Sequence, residues 1–169
     1  MLESILPALT GMITTAKAMA SFDAFRKGRK GDVRALIEEL KENFRLCCHV
    51  VNDGIDHKTV ISKFATAEFD RLNKAGFNFN ALQSKKISAF PGIEKTDLAS
   101  WPSKTTEALV ENIYDKIKSL KSAHDFTPTS STNRRKLINI HKRIRLLLHH
   151  ARANTSGGRP SPRTLGVTK

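Results

Sequence analysis

The chain has 169 residues, of which 39% are hydrophobic and 27% charged, and it carries a formal net charge of +13. This length fits a single domain with a substantial core, and no stretch approaches the roughly twenty apolar residues of a transmembrane helix. Glu3 precedes every basic residue, unlike in a secretory signal, and the adjacent Cys47 and Cys48 make a poor disulfide pair, so we predict a cytoplasmic protein.

Helical periodicity covers most of the chain. An apolar stripe over residues 2–20 predicts a first helix, which the basic segment "FRKGRKGD" follows. A second helix is predicted over residues 33–51, with Asp32 as its N-cap and Gly54 just beyond its end. The segment "KTVISKFATAEFDRLNKAG" predicts a further helix, with "FAT" as the point at which it divides into two short ones.

Residues 77–104 combine Phe, Leu, Ile and Trp with many turn-forming residues. We predict that they fold over one end of the bundle as a lid, with at most a turn of helix. Two more helices are predicted, at "TTEALVENIYDKIKSLKSA" and over residues 134–153. No alternating strand pattern is present, so the fold class is all-α: a single-domain bundle of four or five main helices over residues 1–154, with a disordered basic tail over 155–169.

The positive charge is concentrated near the end of the chain. From Phe126 to Lys169 there are ten Lys or Arg residues and no Asp or Glu. On a helical wheel of about 100° per residue, the segment "RRKLINIHKRIRLLLHHARA" has an apolar stripe on one side and basic residues on the solvent-facing side. We predict that this basic side contacts nucleic acid (RNA or DNA) or another polyanion. The candidate contacts are Arg135, Lys136, Lys142, Arg143, Arg145, His149 and Arg152.

Within the same helix, "RRKLINIH" places Arg134 seven residues before His141, on nearly the same side. This pattern resembles that of the HEPN ribonucleases, all-α bundles with an Arg and a His near a late helix. Arg135 departs from it, because that family usually has a polar uncharged or acidic residue there. The resemblance implies a metal-independent ribonuclease of the toxin or antiviral defence type. His141 would then move the 2′-hydroxyl proton and Arg134 would stabilise the phosphate.

Other classes are less well matched. An adaptor or regulatory subunit that binds an acidic protein is a further alternative, as is a surface of anionic lipid, and the sequence leaves a homodimer open. "CCH" lacks the spacing of zinc ligands, and "RKGRKGD" lacks the preceding strand and spacing of a Walker loop. Glu38, Glu39 and Glu42 are assigned to the solvent-facing side of the second helix. The preferred hypothesis is a small basic binding protein without catalysis, cofactor or metal.

Overall fold

The computed structural model describes residues 14–152, and within them the prediction of an all-α fold is confirmed. This part of the chain forms α-helices and short 3-10 turns, and it contains no strand. The helices are α1 (Thr15–Arg26), α2 (Gly31–Val51), α3 (His57–Ile61), α4 (Ala67–Lys74), α5 (Thr106–Phe126) and α6 (Ser131–Arg152), and the 3-10 turns lie at Phe79–Ala81 and Ile93–Lys95.

The helix boundaries differ from the predicted ones near the start of the chain. Most of the stripe predicted over residues 2–20 lies outside the described residues, and α1 begins after Thr14, whose side-chain oxygen accepts a hydrogen bond from the backbone N–H of Lys17. The prediction of Asp32 as N-cap is wrong, because α2 begins at Gly31, two residues before the predicted start, and its N-cap is Lys30. Asp32 lies in the first turn, where its carboxylate binds Arg71 at 2.7 Å. The division at "FAT" is confirmed, since those residues separate α3 from α4.

The last helix, α6, lies at the centre of the bundle. It packs against α5, α2 and α1 and also contacts α3. α5 runs antiparallel to it: the Asn133 amide donates to the Thr127 carbonyl at one end, and Thr106 contacts His150 at 3.0 Å at the other. Leu137, Ile140, Ile144, Leu147 and Leu148 are at most 1% exposed, as the helical wheel predicts. Because neighbours surround α6, burial extends well beyond this stripe.

Two polar side chains of α2 face inward and hold the start of α4. Asn43 exchanges two hydrogen bonds with the backbone of Ala65, at 2.8 and 2.9 Å. Glu39 is 8% exposed and accepts the backbone N–H groups of Glu68 at 2.8 Å and Phe69 at 3.1 Å. The side chain of the N-cap, Thr66, makes no such bond, so Glu39 satisfies donors that the start of a helix leaves open. The prediction that Glu39 faces solvent is wrong.

The lid, residues 77–104, contributes its apolar side chains to the same core as the helices. Its buried members are Phe79, Leu82, Ile87, Ile93, Leu98 and Trp101. The backbone N–H of Ile87 donates to the Lys104 carbonyl at 2.9 Å, and that of Ser103 donates to the Ile87 carbonyl at 2.8 Å. The segment between these bonds is therefore a closed loop of the Ω type. The lid therefore covers the hydrophobic core. It lies along the side of α6 as well as near one end of the bundle.

None of the helices within residues 14–152 combines the length and the apolar character that crossing a bilayer requires.

Candidate nucleic-acid interface

Arg143, in the middle of α6, faces the lid and α5. It is 9% exposed. Its guanidinium donates to the Asn112 side-chain oxygen at 2.9 Å and to the Asn139 carbonyl at 3.0 Å, and it lies 3.4 Å from the Asp97 carboxylate of the lid. Burial lowers the pKa of Arg143, and Asp97 acts in the opposite direction. The prediction that Arg143 lies on a solvent-facing side is wrong.

Three further candidate residues of α6 are also partly or fully shielded from solvent. Lys142 has a side chain that is 12% exposed, and its ammonium lies 3.0 Å from the same Asp97 carboxylate. Arg145 is 8% exposed, and burial lowers its pKa. The ring of His149 is half-buried, with its centre 4.7 Å from that of Phe90 in the lid, and burial lowers its pKa. The solvent-facing basic surface that the sequence predicts for the middle of α6 is therefore absent from the described residues.

The exposed cations of α6 lie near its two ends. Arg135 and Arg152 are exposed, whereas Arg134 and Lys136 are half-buried. At 1.5 Å per residue, Arg135 and Arg152 are about 25 Å apart along the helix. The predicted contacts therefore do not form one continuous surface.

His141 lies in the core, in a different environment from Arg134. It is 3% exposed, and its ring stacks on Phe44 with the centres 5.1 Å apart. Its Nε2 is 3.9 Å from the Sγ of Cys48. Burial, together with the charges of nearby cations, lowers the pKa of His141 to about 3. The ring is thus neutral at physiological pH, and α2 separates it from any phosphodiester in solvent.

A groove of about 480 Å³ opens at the end of the bundle where α6 ends. Three parts of the chain line it: the end of α1 with its connection to α2, the start of the lid, and the last turn of α6. The lining residues are Ala24, Phe25, Lys27, Arg29, Asn80, Ala81, Leu82, Gln83, Ser84 and Ala151. Two of them are cations and none is acidic.

Arg29 joins two walls of this groove. Its guanidinium donates to the carbonyls of Ala81 at 3.1 Å and Leu82 at 3.3 Å, and it lies 5.8 Å from the centre of the Phe25 ring. These two bonds use two of the five N–H donors of an arginine. Gly28, at φ 80, provides the left-handed turn that follows Lys27. The side chain of Arg29 is therefore held in place while donors remain for a ligand.

More cations adjoin the lining residues in the sequence. Lys30 follows Arg29, Lys85 and Lys86 follow Ser84, and Arg152 follows Ala151; all four cations are exposed. We call the set of Lys27, Arg29, Lys30, Lys85, Lys86 and Arg152 the basic end.

The chain matches no family model, and no curated protein or solved structure matches it either. The resemblance of "RRKLINIH" to the HEPN ribonucleases thus rests on those residues alone. Among residues 14–152, no group of three or more His, Cys, Asp or Glu side chains is placed to hold a metal ion.

Sequence reasoning missed the groove, although one signal for it was present. Lys27 and Arg29 belong to the segment "FRKGRKGD", which carries four cations before its single acidic residue. The two carbonyls that Arg29 binds in the groove wall lie more than fifty residues further along the chain. Only the fold brings these parts together, and chemically the result is a concave site with positive charge, hydrogen-bond donors and one aromatic ring.

Proposed function

We propose that the protein binds nucleic acid, with the phosphate groups contacting the basic end. The observation that carries this proposal is the groove, which has Lys27 and Arg29 in its wall and no acidic lining residue. Phosphate contacts by Lys and Arg supply most of the sequence-independent affinity for nucleic acid, because they release condensed counterions. A net charge of +13 supports the same conclusion, since it attracts polyanions over longer distances.

The position of the groove connects it to the most basic part of the sequence. α6 ends at Arg152, beside the groove, and the chain beyond contains Arg159, Arg163 and Lys169 without any acidic residue. These three residues lie outside the described part of the chain. We include them in the proposal as additional phosphate contacts, on the basis of charge alone.

The proposed phosphate contacts lie at the basic end and not in the middle of α6. Lys142 and Arg143 already bind the carboxylate of Asp97, and Arg145 is buried. Arg152 remains among the contacts, and Lys27 and Lys30 join it. Catalysis is not part of the proposal, because the histidine of the ribonuclease hypothesis, His141, is enclosed by the core.

Salt-dependent binding to labelled RNA and DNA tests this function. Each lost phosphate contact lowers the slope of log affinity against log salt by about 0.9 for duplex DNA. We therefore expect the triple substitution Lys27→Gln, Lys30→Gln and Arg152→Gln to lower that slope by about 2 to 3.

A matched control removes the same charge elsewhere. Lys17, Lys58 and Lys63 are exposed and line no part of the groove, so the three corresponding Gln substitutions should change the slope by less than about one. The proposal fails if the wild-type protein shows no binding at low salt. It also fails if the control triple variant loses as much of the slope as the variant at the basic end.

A further inference from the structure

The groove offers more than positive charge. Its lining includes the apolar side chains of Ala24, Phe25, Ala81 and Ala151, next to the polar side chains of Gln83 and Ser84. A volume of about 480 Å³ lies within the range of small-molecule sites, roughly 300 to 1,000 Å³. A purely electrostatic contact with a phosphate backbone needs no such concave apolar wall. The mixture of one aromatic ring, small apolar side chains and polar groups suits a ligand whose flat, polar-edged part is attached to a phosphate.

One of the two lining cations is held in place beside this wall. Arg29 is held by two carbonyls of the lid and by the Phe25 ring, so it loses little conformational freedom when it binds an anion. Lys27 is exposed and lines the same groove, two residues earlier in the chain. Because both cations line the same groove as the apolar side chains, a phosphate that contacts them would place its attached sugar and base within the groove.

We propose that the groove takes one unpaired nucleotide of a single strand, with its phosphate on Lys27 and Arg29 and its base against the wall formed by Ala24, Phe25 and Ala151. This inference rests on the proposed function and adds that the protein prefers single-stranded nucleic acid to a duplex. The bases of a duplex are stacked and paired, so they cannot enter the groove without the cost of unstacking. In a single strand the base is free to enter the groove. Contact with an aromatic side chain stabilises any of the four bases, because each has a flat aromatic face.

The test compares a labelled single-stranded oligonucleotide with a duplex of the same length, at the same salt concentration. Charge alone favours the duplex, whose charge density is higher, so a preference for the single strand is diagnostic. One base contact with an aromatic side chain is worth about a factor of ten or more in affinity. Because the charge density of the duplex offsets part of this factor, we expect the wild-type protein to bind the single strand about three- to tenfold more tightly than the duplex.

Two variants and one control test whether the groove causes the preference for the single strand. Ala24→Leu fills part of the groove from an exposed position of α1, and Phe25→Leu removes the ring but keeps an apolar side chain. Both should reduce the ratio of the single-strand affinity to the duplex affinity to about one or less, because only the charge contribution remains. Ala20→Leu adds the same side chain one turn earlier on α1, at an exposed position outside the groove, and should leave the ratio unchanged. Circular dichroism and thermal unfolding establish that each variant is folded.

Competition distinguishes a nucleotide site from a general anion site. Adenosine monophosphate should displace the single strand from the groove, and inorganic phosphate at the same concentration should displace far less. If the wild-type protein binds both forms equally with a steep salt dependence, the proposed function stands and this inference is overturned. The same holds if folded Ala24→Leu keeps the wild-type preference or if inorganic phosphate competes equally well. If neither form binds at low salt, both proposals fail.

Discussion

Replacing Arg143 by Gln separates a cation that holds the fold together from one that contacts a ligand. The sequence places Arg143 among the nucleic-acid contacts, whereas the structure places its guanidinium between the lid and α5. The substitution removes the positive charge and shortens the side chain, so the bonds to Asn112 and Asn139 cannot both be kept. We expect a large loss of stability and little effect on the affinity for nucleic acid.

The magnitude follows from the contacts that are lost. Hydrogen bonds to a charged group contribute about 1.5 to 3 kcal/mol each. The ion pair with the half-exposed Asp97 adds about 0 to 1 kcal/mol. Because Gln can keep part of this network, we expect the free energy of unfolding to fall by about 2 to 3 kcal/mol. For a domain of this size that corresponds to a decrease in the melting temperature of about 5 to 10 °C.

Urea unfolding followed by the fluorescence of Trp101 measures this change. Trp101 is the only tryptophan, it is 6% exposed, and it belongs to the lid that contains Asp97. The matched control is Arg135→Gln, which changes an exposed arginine of the same helix and should lower stability by less than about 0.5 kcal/mol. Salt-dependent nucleic-acid binding is measured on both variants under conditions in which they are folded.

Two results would refute the reasoning. If Arg143→Gln destabilises no more than Arg135→Gln, the contacts with Asn112 and Asp97 do not support the fold in solution. If Arg143→Gln lowers the salt slope of binding as much as a substitution at Lys27, Arg143 is a phosphate contact. The lid would then have to leave α6 when nucleic acid binds.

Further substitutions and measurements test other parts of the core. Glu39→Gln places an amide N–H₂ against one of the two backbone donors of α4 and should lower the free energy of unfolding by about 2 kcal/mol. The control Glu42→Gln changes an exposed glutamate of the same helix and should lower it by less than about 0.5 kcal/mol. Equal effects of the two substitutions would contradict the capping role of Glu39. The pKa of His141 is lowered to about 3, so the unfolded chain binds more protons below about pH 6.5, and stability should fall as the pH drops from there towards 3. His141→Phe should weaken this dependence in urea unfolding, and an unchanged pH profile would contradict it. Burial raises the pKa of Cys48 to about 11 and that of Cys47 well above its usual value. Cys47 is buried and Cys48 only partly so, so a thiol reagent at neutral pH should label Cys47 only after unfolding and Cys48 slowly in the folded protein. Rapid labelling of both thiols in the folded protein would count against the described packing.

The helical bundle could be predicted because its signals are local. α2 and α5 repeat their apolar residues at helical spacing, and "FAT" interrupts the pattern where α3 and α4 separate. The apolar residues of the lid likewise indicated burial. In each of these cases the residues that decide the structure lie close together in the sequence.

The positions that were assigned wrongly depend on distant parts of the chain. A helical wheel assumes one buried side, but α6 has neighbours all round, and the partner of Arg143 lies 46 residues away at Asp97. Glu39 is 30 residues from the backbone group of Phe69 that it binds. The groove combines three distant segments, so no periodicity or short motif contains it.

The backbone bonds between Ile87 and the pair of Ser103 and Lys104 have a consequence for how the chain can vary in length. They bring the two ends of the loop together, so residues can be inserted near its exposed Ala99 and Ser100 without moving either end of α5 or α6. The same closure makes the loop a natural segment to exchange as a module, provided that the replacement again supplies an acidic partner for Lys142 and Arg143.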